Sequence, residues 1–96
     1  MYRIQFEWNE KKNRENQRKH GISFEEAQTV FLDENAFEFF DPDHSESEER
    51  FILLGASVRL RMLVVCYCHR QQTTIRLISA RKANSREEAN YVEMIL

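Results

Sequence analysis

Five side chains that could act on a phosphodiester lie between residues 67 and 81. Tyr67 and His69 could transfer protons, whereas Arg70, Arg76 and Arg81 are fixed cations. Cleavage of RNA by its own 2′-hydroxyl needs both kinds of group, because the nucleophile loses a proton, negative charge builds on the phosphate oxygens and the departing 5′-oxygen gains a proton. For each residue alone, packing or solubility is the simpler interpretation. Together they indicate a phosphate site.

Positive charge is concentrated in one part of the chain, although the net charge is −2 and the pI is about 5.9. Residues 50–86 contain eight Lys and Arg side chains and no acid, while residues 38–49 contain six acids and no Lys or Arg. A basic body of this kind predicts a phosphate-rich partner. Composition leaves three classes open: a nuclease, a nucleic-acid-binding module without catalysis, and a module whose basic face binds an acidic protein.

A polar segment near the N-terminus has the boundaries of a helix but no apolar stripe. Asn9 is a suitable N-cap and Gly21 a suitable C-terminal stop, which predicts a helix over residues 10–20. Cations occupy one broad arc, and amides with one imidazole occupy the other: Lys11, Lys12, Arg14, Arg18 and Lys19 against Asn13, Asn16, Gln17 and His20. The segment is either a solvated helix stabilised by its own ion pairs or one wall of a nucleic-acid groove.

The remaining pattern predicts a single α+β domain over residues 1–96. Its expected fold is an antiparallel sheet of about four to five strands with two N-terminal helices and one C-terminal helix. The strands are expected at residues 2–8, 36–40, 51–56, 60–69 and 73–80, and the strand at 60–69, apolar on both faces, should be central. Capping boxes that begin at Ser23 and Ser85 start the second and third helices. In the third helix we expect a buried stripe of Ala89, Val92 and Leu96, flanked by Tyr91 and Ile95.

Strict alternation in the last strand divides its side chains between two faces. It predicts Ile75, Leu77, Ser79 and Arg81 on one face, and Arg76, Ile78 and Ala80 on the other. The strand ends at Arg81 and Lys82, just before the third helix. Backbone N–H groups of a helix start and a guanidinium can together hold an anion there.

Several other classes of protein are disfavoured. No apolar run approaches the ~18 residues of a membrane span, and the N-terminus lacks the apolar stretch of a signal peptide. We therefore expect a cytoplasmic protein without a membrane partner. Cys66 and Cys68 are interpreted as buried reduced thiols, because no paired metal-ligand motif accompanies them. We expect neither a metal nor another cofactor.

Four stretches resemble the BrnT toxins of bacterial toxin–antitoxin pairs, in the same order along nearly the whole chain. They are FEWN…N..KHGISFEEA..VF (6–31), DPDHSESEERFILLG (41–55), LVVCYCHR (63–70) and IRLISARKA (75–83). The resemblance implies a RelE-like fold and a ribonuclease toxin that arrests growth by cutting RNA. It also implies a BrnA-type antitoxin, whose DNA-binding domain brings the complex to operator DNA.

The resemblance also suggests which residues act. The implied catalytic residues are Tyr67, Arg70, Arg76, Arg81 and His20. Lys19 and Asn16 also match the family and are expected to bind RNA, as are Arg18 and Lys82 from the basic surfaces of the helix and the strand end. The arginines would hold phosphate and stabilise developing charge, and Tyr67 or His20 would transfer a proton. Glu25 and Ser79 also match recurring polar positions, with structural roles expected for both.

Overall fold

Five strands and three α-helices form most of the chain in a computed structural model that describes residues 3–96. The strands are β1 (Gln5–Glu7), β2 (Phe37–Asp41), β3 (Arg50–Ala56), β4 (Met62–Gln71) and β5 (Thr74–Lys82). The helices are α1 (Glu10–His20), α2 (Phe24–Ala27) and α3 (Ser85–Ile95), with short 3₁₀ helices at Gln28–Leu32 and Pro42–His44. The predicted start of the first strand at Tyr2 lies outside the described residues. Within residues 3–96, no helix combines the length and the apolar character needed to cross a membrane.

The strands form one mixed sheet in the order β1-β5-β4-β3-β2. Strands β2 to β5 pair antiparallel with their neighbours, which confirms the predicted meander. Strand β1 instead runs parallel to β5, with Phe6 opposite Ile75, so the expectation of an entirely antiparallel sheet is wrong at this edge. Because helices and three strands separate β1 from β5 in the chain, no short turn imposes an antiparallel direction on the pair.

The core lies mainly on the sheet face that packs against α1, α2 and the first 3₁₀ helix. Phe24 and Val30 on the helical side meet Leu63, Val65 and Leu77 on the sheet, and all five are almost completely buried. A smaller cluster on the opposite face contains Leu54, Val64 and Tyr91. Strand β4 therefore has apolar neighbours on both faces, as its sequence predicted.

Helix α3 packs on the smaller cluster through Tyr91, its buried residue. The Tyr91 hydroxyl donates a 2.7 Å hydrogen bond to Asp33, and this buried contact fixes how the helix is rotated about its axis. The predicted stripe of Ala89, Val92 and Leu96 is wrong, since all three are exposed and Leu96 is 95% accessible. The helix begins one residue earlier than predicted, because Asn84 and Glu87, rather than Ser85 and Glu88, form the capping box.

Helix α1 docks on the protein through amides instead of an apolar stripe. Asn13 and Asn16 are its buried residues. The Asn16 side chain donates to the carbonyls of Ile22 (2.8 Å) and Ala80 (2.7 Å), and its oxygen accepts from the Ala80 N–H (3.1 Å). Ala80 lies beyond the short pairing of β1 with β5, so the Asn16 amide replaces a strand partner at the open edge of β5. The boundaries predicted from Asn9 and Gly21 are confirmed.

A β-bulge in β5 changes which side chains share a face. Cys66 pairs with Ser79 while Tyr67 pairs with Leu77, so Ile78 is an extra residue in β5. An extra residue reverses the in-and-out alternation beyond it. Consequently Leu77 and Ala80 both belong to the core cluster, and the predicted division of this strand is wrong.

Candidate active site

The sheet face opposite the large core carries a cleft of about 450 Å³, lined by β2 to β5 and by the end of α1. Three cations and two imidazoles lie along its walls: Lys19, Arg50, Arg81, His20 and His44. Apolar side chains of the strands contribute its floor: Ile52, Val64 and Ile78. A hydroxyl, a thiol and a carboxylate complete the polar lining: Ser79, Cys66 and Asp41. Cations and imidazoles around an apolar floor can bind a phosphate and exchange protons with it.

Helix α1 brings Lys19 and His20 to this cleft. Two hydrogen bonds of Asn16 to the backbone of Ala80 fasten the helix to β5 one turn before its end, and a third binds the carbonyl of Ile22. His20, the last helical residue, is half-buried, and both Lys19 and His20 line the cleft. The end of the helix is therefore one wall of the cleft, whereas its buried amides bind the protein itself. That this wall binds nucleic acid stays a prediction.

The bulge in β5 brings Ser79 and Arg81 to the cleft. Glu87, at the start of α3, binds the Arg81 guanidinium with both carboxylate oxygens, at 2.9 Å each. The Arg81 guanidinium also holds the pKa of Glu87 below its ordinary value, so this carboxylate is ionised at neutral pH. The pair fixes the direction of the guanidinium and neutralises part of its charge.

Arg50 was not assigned a role from the sequence, yet it lies in the cleft with unused hydrogen-bonding capacity. Among the residues that the structure describes, Nε of Arg50 is the one buried side-chain nitrogen or oxygen without a hydrogen-bond partner. Its terminal nitrogen is 3.8 Å from a carboxylate oxygen of Glu48, which is too long for a strong hydrogen bond. A buried unpaired guanidinium N–H is costly, and an anion bound in the cleft could supply the missing acceptor.

Asp41 and His44 form a second pair that the sequence analysis did not single out. Nδ1 of His44 is 2.9 Å from Oδ2 of Asp41, and both residues line the cleft. A signal for this pair was present, because Pro42 favours the start of a short helix. In a 3₁₀ helix, side chains three residues apart lie side by side. The DPDH stretch was instead interpreted as part of an acid-rich segment and of the pattern shared with BrnT toxins.

Arg70 and Arg76 lie outside the cleft, towards the other end of the β4–β5 hairpin. Arg76 pairs with Cys68 across the strands, so it shares the sheet face of the cleft. Its guanidinium binds Glu7 at 2.8 Å, and Arg70 is 3.9 Å from both Glu7 and Glu48. Internal carboxylates thus partly neutralise both cations.

Tyr67 lies on the opposite face of the sheet. Its ring is 1% exposed and packs against Phe31 and Phe51, and its hydroxyl donates to Glu38. Burial, and then the neighbouring Glu38 carboxylate, raises the pKa of the phenol far above its ordinary value. The expectation that Tyr67 and the arginines gather in one groove is therefore wrong. His69 lies with Tyr67, edge-on to Phe51.

The four residues expected to bind RNA do not lie together in the cleft. Lys19 lines the cleft, whereas Asn16 donates both of its amide hydrogens to backbone carbonyls and acts as a structural anchor. Arg18 and Lys82 are exposed and lie outside the cleft lining. Cys66 faces the cleft as a free thiol, and burial raises its pKa, which keeps it protonated and weakly nucleophilic at neutral pH.

Comparisons with known proteins agree with this architecture. A crystal structure at 1.1 Å resolution of the Brucella abortus ribonuclease toxin, BrnT, superposes with a TM-score of 0.64 over 88% of this chain and 100% of that chain, at 23% sequence identity. That likeness establishes a shared fold. No curated protein matches the sequence. The family model for the ribonuclease toxin BrnT of type II toxin–antitoxin systems matches residues 8–87, and the chain therefore belongs to the BrnT family of ribonuclease toxins.

Proposed function

We propose that the cleft cleaves RNA by attack of the substrate's own 2′-hydroxyl on the adjacent phosphorus, without a metal ion. Membership of a ribonuclease toxin family gives the class of reaction. What supports this route is the composition of the cleft, in which Lys19, Arg50 and Arg81 supply positive charge and His20 supplies a titratable imidazole. These groups cover the charge stabilisation and proton transfer that the reaction requires.

The observation that carries the proposal is the unpaired, buried Nε of Arg50. Arg81 is held in place by Glu87, and Lys19 reaches the cleft from α1. A phosphodiester in the cleft would accept hydrogen bonds from these three cations. Charge-assisted hydrogen bonds of this kind grow stronger as the phosphorane gains negative charge.

Arg70 and Arg76 have a more distant role in this proposal. Both are partly exposed at the end of the face that carries the cleft, where they can attract the phosphates of neighbouring nucleotides. Exposed Arg18 and Lys82 can contribute in the same way. Their effect should be on affinity and on its salt dependence rather than on the chemical step.

A type II toxin acts opposite an antitoxin, and we infer that the partner here is of the BrnA type. In this proposal the antitoxin neutralises the toxin, its DNA-binding domain brings the complex to operator DNA, and the toxin itself has no contact with that DNA. The toxin would act in the cytoplasm, where its RNA substrate lies. Expression of this chain alone should arrest growth, and co-expression of its antitoxin should restore growth. Growth unaffected by the chain alone would contradict the toxin assignment.

The reaction is tested by incubating the purified protein with a long RNA transcript in the presence of EDTA and identifying the ends of the products. We expect cleavage that leaves 2′,3′-cyclic phosphate and 5′-hydroxyl ends. Cleavage lost on chelation, or 5′-phosphate ends, would refute the route. Binding of the transcript without cleavage would instead identify a nucleic-acid-binding module.

The contribution of the cleft is tested with a matched pair of arginine variants. Arg50→Ala should lower the cleavage rate about 10²-fold or more, as loss of a charge-stabilising donor does in other enzymes. Arg59→Ala is the control, because the Arg59 side chain is 71% exposed and lies in the β3–β4 turn. Equal rates for the two variants would move the phosphate site away from this cleft.

A further inference from the structure

We propose that His44 is the general base of the cleft, that Asp41 positions it, and that His20 is the general acid. This inference rests on the proposed function, since it assigns the two proton transfers of the same reaction. It adds a histidine–carboxylate pair from the end of β2 and the 3₁₀ helix that follows it, in a segment to which the sequence assigned no proton transfer.

The Asp41–His44 contact defines which nitrogen of His44 can act. An ionised carboxylate can only accept a hydrogen bond, so the 2.9 Å contact requires a proton on Nδ1. Neutral His44 then carries its free lone pair on Nε2, which is the arrangement of a base. The same carboxylate stabilises the imidazolium that forms when Nε2 takes a proton.

The burial of the two side chains suits these roles. The Asp41 side chain is 13% exposed, whereas the His44 side chain is 68% exposed. Asp41 ends β2 opposite Arg50, and the Ser45 hydroxyl binds the Asp41 carbonyl and the Arg50 N–H. The backbone of Asp41 is thus held by the framework and its carboxylate is largely buried, while the imidazole is accessible to a substrate.

His20 occupies the opposite wall of the cleft. It is the last residue of α1, which packs along β5, whereas His44 follows β2 at the other edge of the sheet. An in-line displacement needs its base and its acid on opposite sides of the phosphorus, and the two histidines enter the cleft from opposite sides.

The resulting step balances in protons and bonds. Nε2 of His44 takes the proton of the 2′-hydroxyl while the 2′-oxygen forms a bond to phosphorus. The bond between phosphorus and the 5′-oxygen breaks, and His20 gives its proton to that oxygen. The products are a 2′,3′-cyclic phosphate and a 5′-hydroxyl, with His44 protonated and His20 neutral, and exchange with water restores both.

The first experiment compares histidine variants under single-turnover conditions, at a cleavage site mapped beforehand with the unmodified protein. His44→Ala and His20→Ala should each lower the rate about 10²- to 10⁴-fold. His69→Ala is the matched control, because it removes an exposed imidazole outside the cleft, and its rate should stay within about threefold of that of the unmodified protein. Unchanged melting temperatures show that the folds are intact. If the unmodified protein cleaves and His44→Ala cleaves equally fast, this inference fails while the proposed function stands.

A modified oligonucleotide separates the base from the acid. At the mapped site its 5′-oxygen is replaced by sulfur, a leaving group that needs no protonation. We expect His20→Ala to cut this substrate at nearly the rate of the unmodified protein, and His44→Ala to remain slow. Restoration of His44→Ala instead would show that the assigned roles are reversed and would overturn the proposal.

Asp41 is tested as a residue that acts through His44. Asp41→Asn should lower the rate at least tenfold, and the double variant with His44→Ala should be no slower than His44→Ala alone. Added imidazole should restore part of the activity of His44→Ala. Two results would show that the pair has only a structural role. One is a cleavage rate in the double variant that falls by the product of the two single losses, and the other is a rate of His44→Ala that imidazole does not raise.

Discussion

Replacement of Asn16 by alanine tests how α1 holds Lys19 and His20 in the cleft. The Asn16 amide makes three hydrogen bonds of 2.7 to 3.1 Å with the backbone of Ile22 and Ala80. Both partner residues are almost completely buried, at 0% and 2% exposure. Asn16→Ala would leave two carbonyls and one N–H without partners, in a site that water reaches poorly.

The expected loss follows from these three bonds. A hydrogen bond contributes about 1 kcal/mol net, and leaving a buried partner unpaired costs about 1–3 kcal/mol. We therefore expect the free energy of unfolding to fall by about 3 kcal/mol. For a domain of this size that corresponds to a decrease in melting temperature of about 12 °C. The variant should remain folded at 25 °C, because such domains have about 5–15 kcal/mol of stability.

Urea unfolding followed by circular dichroism measures this loss. Gln17→Ala is the control, since Gln17 is exposed and makes one 3.2 Å bond to Asn13; we expect it to lose less than about 0.5 kcal/mol. The RNA cleavage rate of Asn16→Ala should also fall at urea concentrations at which the variant is still folded, because Lys19 and His20 depend on the position of α1. A loss under about 1 kcal/mol would refute the view that amides replace an apolar stripe here.

Three further predictions concern other parts of the fold. Tyr67→Phe should leave the rate of RNA cleavage within about threefold, because the phenol lies in the core and binds Glu38; a loss of about tenfold or more in a cleavage assay would return Tyr67 to the active site. Glu26→Gln should make the free energy of unfolding less dependent on pH in acid. The hydrogen bond with Arg61 lowers the pKa of Glu26 in the folded protein. The stability that this carboxylate contributes is therefore present above its ordinary pKa of 4.5 and is lost as the pH falls through the lower pKa of the folded state. Urea unfolding at pH 7 and pH 3.5 measures this change. If the variant and the unmodified protein lost the same free energy of unfolding between the two pH values, the pairing of Glu26 with Arg61 would be contradicted. Gly55→Ala should lose about 1–3 kcal/mol in the same assay, because its new Cβ would lie 2.8 Å from a neighbouring β-carbon; an unchanged stability would show that the neighbours move aside.

The sequence predicted the features of the fold that depend on interactions between residues close together in the chain. Asn9 and Gly21 set the limits of α1 through a side-chain cap and a left-handed stop, at φ 72°, and both act within one turn of the helix. The β3–β4–β5 meander follows from short connections. The parallel pairing of β1 with β5 depends on contacts between distant parts of the chain, and no local pattern contains that information.

The composition of the candidate site was predicted only in part, mainly for a geometric reason. Alternation assigns every residue of a strand to a face, and the extra residue Ile78 reverses that assignment midway through β5. Ser79 and Arg81 therefore lie on the opposite face from Leu77. Arg50 could not have been singled out from its position in the sequence, because what marks it is an unpaired buried nitrogen.

Nuclear magnetic resonance tests most directly whether the cleft holds the scissile phosphate. The ¹⁵N-labelled protein is titrated with a 2′-O-methylated oligoribonucleotide, which retains the phosphates but cannot be cleaved. We expect the largest shifts at the Nε–H signals of Arg50 and Arg81 and at the backbone of His20, with little change around Tyr67. Shifts centred on the opposite face of the sheet, with those of Arg50 and Arg81 unmoved at saturation, would contradict the assignment of this cleft.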